Sequence, residues 1–140
     1  MELLSLHFDG ASKPNPGAAA FGIALFDKQG SVLEKEGKSL GITTNNVAEY
    51  CGLIFGLIRA LRYTPRKLII CSDSLLLINQ IKGTYRVKDP ALKILNLIAK
   101  ELLNQFAAWE FSQLTHLTND IAHKLANSAI EDGLFTHQQR

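Results

Sequence analysis

Hydrophobic and polar residues alternate along Glu2–Phe8, which is the period of a half-buried β-strand. This segment ends at Asp9-Gly10, a turn signal. Ala18–Phe26 is predicted to form a second strand, residues 27–30 a hairpin turn, and Ser31–Ser39 a third strand. The start of the chain therefore predicts an antiparallel meander.

A long helix is predicted from about Asn46 to Tyr63. Small residues recur at every fourth position within it, which gives the helix one face without bulk. Since glycine in a helix costs up to about 1 kcal/mol relative to alanine, such a face predicts close packing against another element. The four positions are Ala48, Gly52, Gly56 and Ala60.

Strands and helices follow one another in the rest of the chain. Asp89-Pro90 is a strong helix start, since an N-cap is followed by proline at the first helical position. Gly133 is expected to cap the last helix, ahead of a polar, frayed tail over 134–140. The remaining predicted elements are a strand at Arg66–Cys71, a helix at Ser74–Ile81, a helix from Asp89 to about Phe106, a strand at Ala108–Leu114 and an amphipathic helix at Asn119–Ile130.

This order of elements predicts the α/β class. A meander followed by strand–helix–strand crossovers gives one mixed, five-stranded sheet, antiparallel in the meander and parallel beyond it, flanked by about four helices. The length of 140 residues suits one domain, which we expect to span residues 1–133.

Composition and charge narrow the functional classes only slightly. A content of 46% hydrophobic and 20% charged residues is typical of a globular protein, and a net charge of +2 neither requires nor excludes a nucleic-acid partner. Cys51 and Cys71 lie in apolar runs without metal-ligand spacing, so buried thiols in a reducing compartment are expected. With no signal segment and no apolar run near the roughly 18 residues of a membrane span, we expect a cytoplasmic protein without membrane contact.

Three acidic residues stand at the ends of predicted elements, and each has a structural explanation of its own. Asp9 precedes a glycine in a turn signal, Glu49 fits a capping box with Asn46, and Asp73 is placed to cap the next helix. Together they suggest more, because parallel neighbouring strands would bring Asp9 and Asp73 to one sheet edge, where a closely packed helix could add Glu49. Converging carboxylates need a cation, and oxygen ligands suit Mg²⁺ or Mn²⁺.

Four segments in the order and spacing found here resemble the motifs of the type 1 ribonuclease H family. They read FDGASKPNPGAAAFG, TTNNVAEYCGL, CSDSLLLINQIKG and HLTNDIAHKLANSA, and they span Phe8 to Ala129. The resemblance implies a ribonuclease H-like fold and a monomeric endonuclease that hydrolyses the RNA strand of an RNA/DNA hybrid. It also implies two divalent cations, an activated water, and products with 5′-phosphate and 3′-hydroxyl ends.

The resemblance assigns roles to residues of this chain. It makes metal ligands of Asp9, Glu49 and Asp73. It places substrate contacts, to 2′-hydroxyls, base edges and phosphates, at Asn15, Thr44, Asn45 and Asn46. For the last three, helix capping is a structural alternative that is compatible with binding.

The chain departs from the family pattern beside the third motif. Leu75 and Leu76 stand where some members carry polar groups, so one substrate contact is expected to be missing. The short connection Lys82–Asp89 resembles the form of the family without a basic protrusion. Lys82 and Arg86 are candidate phosphate contacts there, with a solvated loop as the alternative.

A further departure lies in the fourth motif, where His123 takes the place of an aspartate. The frame is kept by Asn119, Ala122, Leu125 and Ala126. We assign His123 to the site as a nitrogen ligand of the ion that Asp9 holds, or as a partner of that ion's ligands. A packed histidine and ligation by Asp120 are the alternatives. With one negative charge fewer, the second ion is expected to bind more weakly. Because imidazole is a better ligand for Mn²⁺ than for Mg²⁺, we also expect a preference for Mn²⁺.

Rival functions fit the residues less well. Exonucleases of this fold class pair two acids as D-x-E, whereas Asp9-Gly10-Ala11 has one, and integrase-like relatives lack an acid in the position of Glu49. A non-catalytic hybrid-binding module stays open because of His123.

Overall fold

The architecture is one five-stranded sheet with helices packed against it. The structure, a computed structural model, describes residues 1–113 and 119–138, with side chains up to residue 133. The elements are β1 Leu3–Lys13, β2 Gly17–Phe26, β3 Val32–Thr43, α1 Asn45–Leu61, β4 Lys67–Ser72, α2 Leu75–Lys82, α3 Pro90–Leu103, β5 Trp109–Gln113 and α4 Asp120–Gln138.

Strand β1 lies at the centre of the sheet, whose order is β3-β2-β1-β4-β5. Strands β1, β2 and β3 pair antiparallel, whereas β4 pairs parallel with both β1 and β5. Every second side chain from Leu4 to Phe8 is buried, namely Leu4, Leu6 and Phe8. This is the two-residue period of a β-strand, in which alternate side chains lie on the same face of the sheet. The predicted α/β class, the mixed sheet and the four helices are confirmed.

Helix α1 packs closely on β1 through its face of small residues, as predicted. A Cβ atom added at Gly56 would lie 2.5 Å from Leu6 Cδ1. Ala48, Leu53 and Ala60 are fully buried on the same helix. The α1 backbone is therefore held close to the sheet, which matters because Glu49 is carried by this helix.

Two predicted local structures, a turn at Asp9-Gly10 and a helix cap at Asn46, are wrong. Asp9-Gly10 is not a turn, because β1 continues to Lys13 and pairs with β2 as far as Lys13↔Ala18. Asn46 does not cap α1, because Thr44 is the N-cap and its Oγ1 accepts from Val47 N at 3.2 Å. Glu49 is thus not used in a capping box.

Gly133 does not cap α4, which runs on to Gln138. A Cβ atom at Gly133 would lie 2.3 Å from Ser39 Oγ, so this glycine permits close packing of α4 on β3 rather than ending the helix. Gly22 on β2 has the same effect nearer the start of α4, since an added Cβ would lie 2.1 Å from Ala122 O. The predicted frayed tail is thus helical in backbone over 134–138, and the limit of the domain at residue 133 stays a prediction.

Other boundaries shift by a few residues. Helix α3 ends at Leu103 rather than Phe106, and Asp89 caps it as predicted, its Oδ1 accepting from Leu92 N at 3.0 Å. The predicted last residue of β5, Leu114, lies outside the described residues, as does 115–118 of the fourth motif. Residues 83–89 form a connection without a helix. No helix in the described part of the chain is long and apolar enough to cross a membrane.

A buried polar network joins the three helices α1, α2 and α3. The Tyr50 hydroxyl donates to Gln80 Oε1 at 2.7 Å and accepts from Asn96 Nδ2 at 3.2 Å. All three side chains are buried. Since buried polar groups destabilise a fold when they lose their partners, the Tyr50 hydroxyl is predicted to contribute to stability.

Tyr50→Phe is expected to lower the free energy of unfolding by about 1–3 kcal/mol, because it leaves the amides of Gln80 and Asn96 buried without this partner. Urea denaturation followed by circular dichroism measures the change. Tyr85→Phe is the matched control, since Tyr85 is 48% exposed, and its effect should stay within about 0.5 kcal/mol. Equal stability of Tyr50→Phe and wild type would contradict the role assigned to the network.

Candidate active site

The structure brings Asp9, Glu49 and Asp73 together at one edge of the sheet. Asp9 lies on β1 and Asp73 directly follows β4, the parallel neighbour of β1. Glu49 comes from the start of α1, which can approach because residue 10 is glycine: an added Cβ would lie 2.3 Å from Glu49 N. One carboxylate oxygen from each of the three residues lies within 4.8 Å of the others.

Burial makes this cluster electrostatically costly. Asp9 is 3% and Glu49 8% exposed. Burial, and after it the charge of Asp9, raises the pKa of Glu49 well above its ordinary value, while a hydrogen bond from the Gly10 backbone opposes the shift. Glu49 Oε2 is buried and has no hydrogen-bond partner among the described residues.

These features fit a divalent cation. The ligand set is made of carboxylate oxygens only, which hard ions such as Mg²⁺ and Mn²⁺ prefer. A cation among the three side chains would give Glu49 Oε2 a partner and offset the mutual repulsion of the carboxylates.

His123 lies against this cluster, one turn into α4. Its Nδ1 is 2.8 Å from Asp9 Oδ2. Asn119 holds the start of α4 on the sheet, since its Nδ2 donates to Phe8 O at 2.8 Å. His123 is not part of the group of three carboxylates, but it contacts Asp9 directly.

The acidic cluster opens into a cleft of about 420 Å³. Of the predicted substrate contacts, Asn45 and Asn46 line it. Asn45 Oδ1 accepts from Ser12 N at 2.5 Å, and Asn15 Oδ1 accepts from Asn45 N at 3.0 Å, so this amide pair also ties α1 to β1. The lining residues are Asp9, Gly10, Ala11, Ser12, Lys13, Asn45, Asn46, Glu49, Asp73, Ser74 and His123.

Five other candidates, Asn15 among them, do not belong to the described lining of the cleft. Thr44 is the N-cap of α1, and Lys82 and Arg86 are exposed on or beside the end of α2. Asp120 forms an exposed ion pair with Lys124 at 3.0 Å, which explains its position in the first turn of α4.

Sequence reasoning missed Lys13 and Asn127. Lys13 lines the cleft and its Nζ donates to Asn127 Oδ1, while Asn127 Nδ2 lies 3.1 Å from His123 Nε2. The available signal was helical spacing, since Asn127 follows His123 by four residues and such pairs lie side by side.

Comparison with known proteins identifies the family. A family model described as reverse transcriptase-like matches residues 7–129. The crystal structure of RNase H1 from Halobacterium salinarum is 36% identical and superposes with a TM-score of 0.89, covering 93% of this chain and 98% of that one. The chain belongs to the type 1 ribonuclease H family.

Other members of the type 1 ribonuclease H family agree with this assignment. The N-terminal RNase H domain of Rv2228c from Mycobacterium tuberculosis is 34% identical, with a TM-score of 0.88 and coverage of 91% of this chain and 98% of that one. LC11-RNase H1, solved in complex with an RNA/DNA hybrid, is 29% identical, with a TM-score of 0.88 and coverage of 94% and 99%.

The full-length relatives extend beyond the matched region. The curated ribonuclease HI of Halobacterium salinarum is 37% identical over 126 residues, which are 90% of this chain and 63% of that protein. The bifunctional protein Rv2228c is 36% identical over 88% of this chain, which corresponds to 34% of its own length.

The raised pKa of Glu49 predicts how the stability of the cation-free protein depends on pH. Since the pKa of Glu49 is raised in the folded protein, the folded chain keeps a proton that the unfolded chain releases around the ordinary value of 4.5. The folded state therefore loses stability as pH rises from that ordinary value through the raised one. Above the raised pKa, the cost of the buried charge is fully present.

Glu49→Gln removes that charge, so in EDTA at alkaline pH the variant should unfold at a higher temperature than wild type. The difference should shrink as the pH is lowered towards the ordinary value of 4.5, because the raised pKa lets folded Glu49 keep its proton there. Mg²⁺ should raise the unfolding temperature of wild type more than that of the variant. Glu101→Gln, an exposed control, should change none of these values. A less stable Glu49→Gln protein in EDTA would contradict the electrostatic account.

Proposed function

We propose that this chain is an endoribonuclease that hydrolyses the RNA strand of RNA/DNA hybrids. The observation that carries the proposal is the convergence of the Asp9, Glu49 and Asp73 carboxylates beside an open cleft. Membership of the type 1 ribonuclease H family supports it, and so does a relative, LC11-RNase H1, whose structure contains an RNA/DNA hybrid.

The three carboxylates would hold two Mg²⁺ or Mn²⁺ ions. When bound, such ions supply positive charge that favours attack by water on the phosphorus and departure of the 3′ oxygen, leaving 5′-phosphate and 3′-hydroxyl ends. The chain contributes the geometry: β1 and β4 fix Asp9 and Asp73 side by side, and α1 brings Glu49 between the sheet and the cleft. Because Asp9 and Glu49 are held in the packed interior, little reorganisation is needed on ion binding.

The amides at the cleft supply the means to recognise RNA. Asn46 is exposed in the lining and is placed to hydrogen-bond a 2′-hydroxyl or base edge, the groups by which a protein distinguishes RNA from DNA. Asn15, Thr44 and Asn45 would contact the hybrid beside Asn46 while keeping their hydrogen bonds within the protein. Lys82 and Arg86 would contact phosphates at the exposed end of α2, which makes affinity sensitive to salt.

The proposal is tested by incubating the protein with a labelled RNA/DNA hybrid in Mg²⁺ and, separately, in Mn²⁺. The RNA strand should be cut, whereas duplex DNA should stay intact. Asp73→Asn should reduce the rate by about a thousandfold or more, since it removes charge that would hold ions worth several kcal/mol to the transition state.

Asp120→Asn provides the matched control, because it makes the same chemical change at an exposed acid outside the cleft. Its cleavage rate should equal that of wild type. Binding of the hybrid without cleavage in either metal would favour the non-catalytic hybrid-binding module, and wild-type activity of Asp73→Asn would refute the metal assignment.

His123→Asp tests how the missing fourth charge affects the reaction. A carboxylate beside Asp9 should strengthen binding of the second ion, so the cleavage rate in Mg²⁺ should rise. Mn²⁺ should lose part of its advantage over Mg²⁺, because the added carboxylate gives the site a further oxygen ligand of the kind that Mg²⁺ prefers. Rates that stay unchanged in both metals would place His123 outside the reaction.

A further inference from the structure

A line of polar contacts runs from the surface to the acidic cluster through the first half of α4. The Lys13 ammonium donates to Asn127 Oδ1. Asn127 Nδ2 lies 3.1 Å from His123 Nε2 and donates to His123 O at 3.0 Å. At the other side of the imidazole, His123 Nδ1 lies 2.8 Å from Asp9 Oδ2.

The orientation of the Asn127 amide is fixed by its partners at both ends. An ammonium group can only donate, so the atom that faces Lys13 has to be the amide oxygen. A backbone carbonyl can only accept, so the atom that faces His123 O has to be the amide nitrogen. A flipped amide would place two donors together at Lys13 and two acceptors together at the carbonyl.

This orientation determines where the imidazole carries its proton. The Asn127 NH₂ group has two hydrogens, one for His123 O and one for His123 Nε2, so Nε2 has to accept. The proton of a neutral ring then sits on Nδ1, where it faces the Asp9 carboxylate. A proton on Nε2 would confront the amide donor, so the contact with Asn127 disfavours the other tautomer.

We propose that Asn127 is a positioning residue that sets the tautomer of the His123 ring, with the proton on Nδ1, where it is donated to Asp9 and leaves that nitrogen without a lone pair for a metal ion. His123 thus acts on the site by orienting a carboxylate, and Lys13 supports the amide that orients His123. The inference rests on the proposed function only in treating Asp9 as a metal ligand.

Consequences follow for the two ring nitrogens. Nδ1 lies 2.8 Å from Asp9 Oδ2, and as the nitrogen that carries the hydrogen it has no lone pair in the ring plane. Nε2 keeps a lone pair, but the amide of Asn127 occupies it. Ligation through either nitrogen would require the ring to move its proton or to break a hydrogen bond.

Proton–nitrogen correlation spectra of the histidine rings in nitrogen-labelled protein test the inference. They are recorded at alkaline pH, first in EDTA and then with Mg²⁺, and the signals of His123 are those missing from His123→Gln. The expected result in wild type is a protonated Nδ1 and an unprotonated Nε2 under both conditions. A protonated Nε2, or an Nδ1 that loses its proton when Mg²⁺ is added, would overturn the proposal.

Asn127→Asp tests the positioning role. The new carboxylate can only accept, so Nε2 should now carry a proton. Ser128→Asp introduces the same charge at the exposed neighbouring position and should leave the ring as in wild type. An unprotonated Nε2 in Asn127→Asp, or an equal effect of Ser128→Asp, would overturn the role of the contact. Since these spectra involve no cleavage, a failure of the proposed function and a failure of this inference are distinguishable.

Discussion

Repulsion among buried carboxylates is the interaction around which this structure is arranged. Asp9 and Glu49 lie almost completely out of water and within contact of one another, a placement that apolar packing has to enforce. The enforcement comes from α1, whose backbone is pressed onto β1 where Gly10 and Gly56 leave room. Helix and strand together hold charges that would otherwise separate. A dication bound among these carboxylates would offset their repulsion.

The surroundings of the cluster are organised to keep that geometry. The parallel pairing of β1 and β4 sets the separation of the backbone segments that carry Asp9 and Asp73. Thr44 caps the first turn of α1, Asn45 joins that turn to Ser12 on β1, and Asn119 fixes the first turn of α4 on β1. Each element that carries a charged or titratable group of the site is thus anchored within one turn of that group.

The sequence predicted the sheet, its mixed pairing and the order of all nine elements, because hydrophobic periods and helix-start signals are local. It also predicted that Asp9, Glu49 and Asp73 would meet, since parallel strands share an edge. Predictions from local sequence signals were wrong where contacts between distant segments determine the local structure. Asp9-Gly10 is typical of a turn, yet pairing with β2 carries the strand through it.

Gly133 and Asn127 show the same limit at the other end of the chain. Gly133 is typical of a helix end, but its lack of a side chain serves the contact with Ser39 on β3. Asn127 lies within the fourth motif, but no local pattern assigns it a role, and its contact with Lys13 joins residues 114 positions apart. Such pairs can be identified only once the topology has brought the two segments together.

Gly22 illustrates what the packing of α4 implies for mutational tolerance. Considered alone, a glycine in the middle of a strand weakens the sheet, and a residue with higher strand propensity would be expected to improve it. Here any side chain at position 22 would collide with the backbone of the helix that carries His123. In a saturation screen, this chemically inert position should therefore be as intolerant as the acids themselves, and conventional stabilisation of β2 at this position would displace the helix that carries His123.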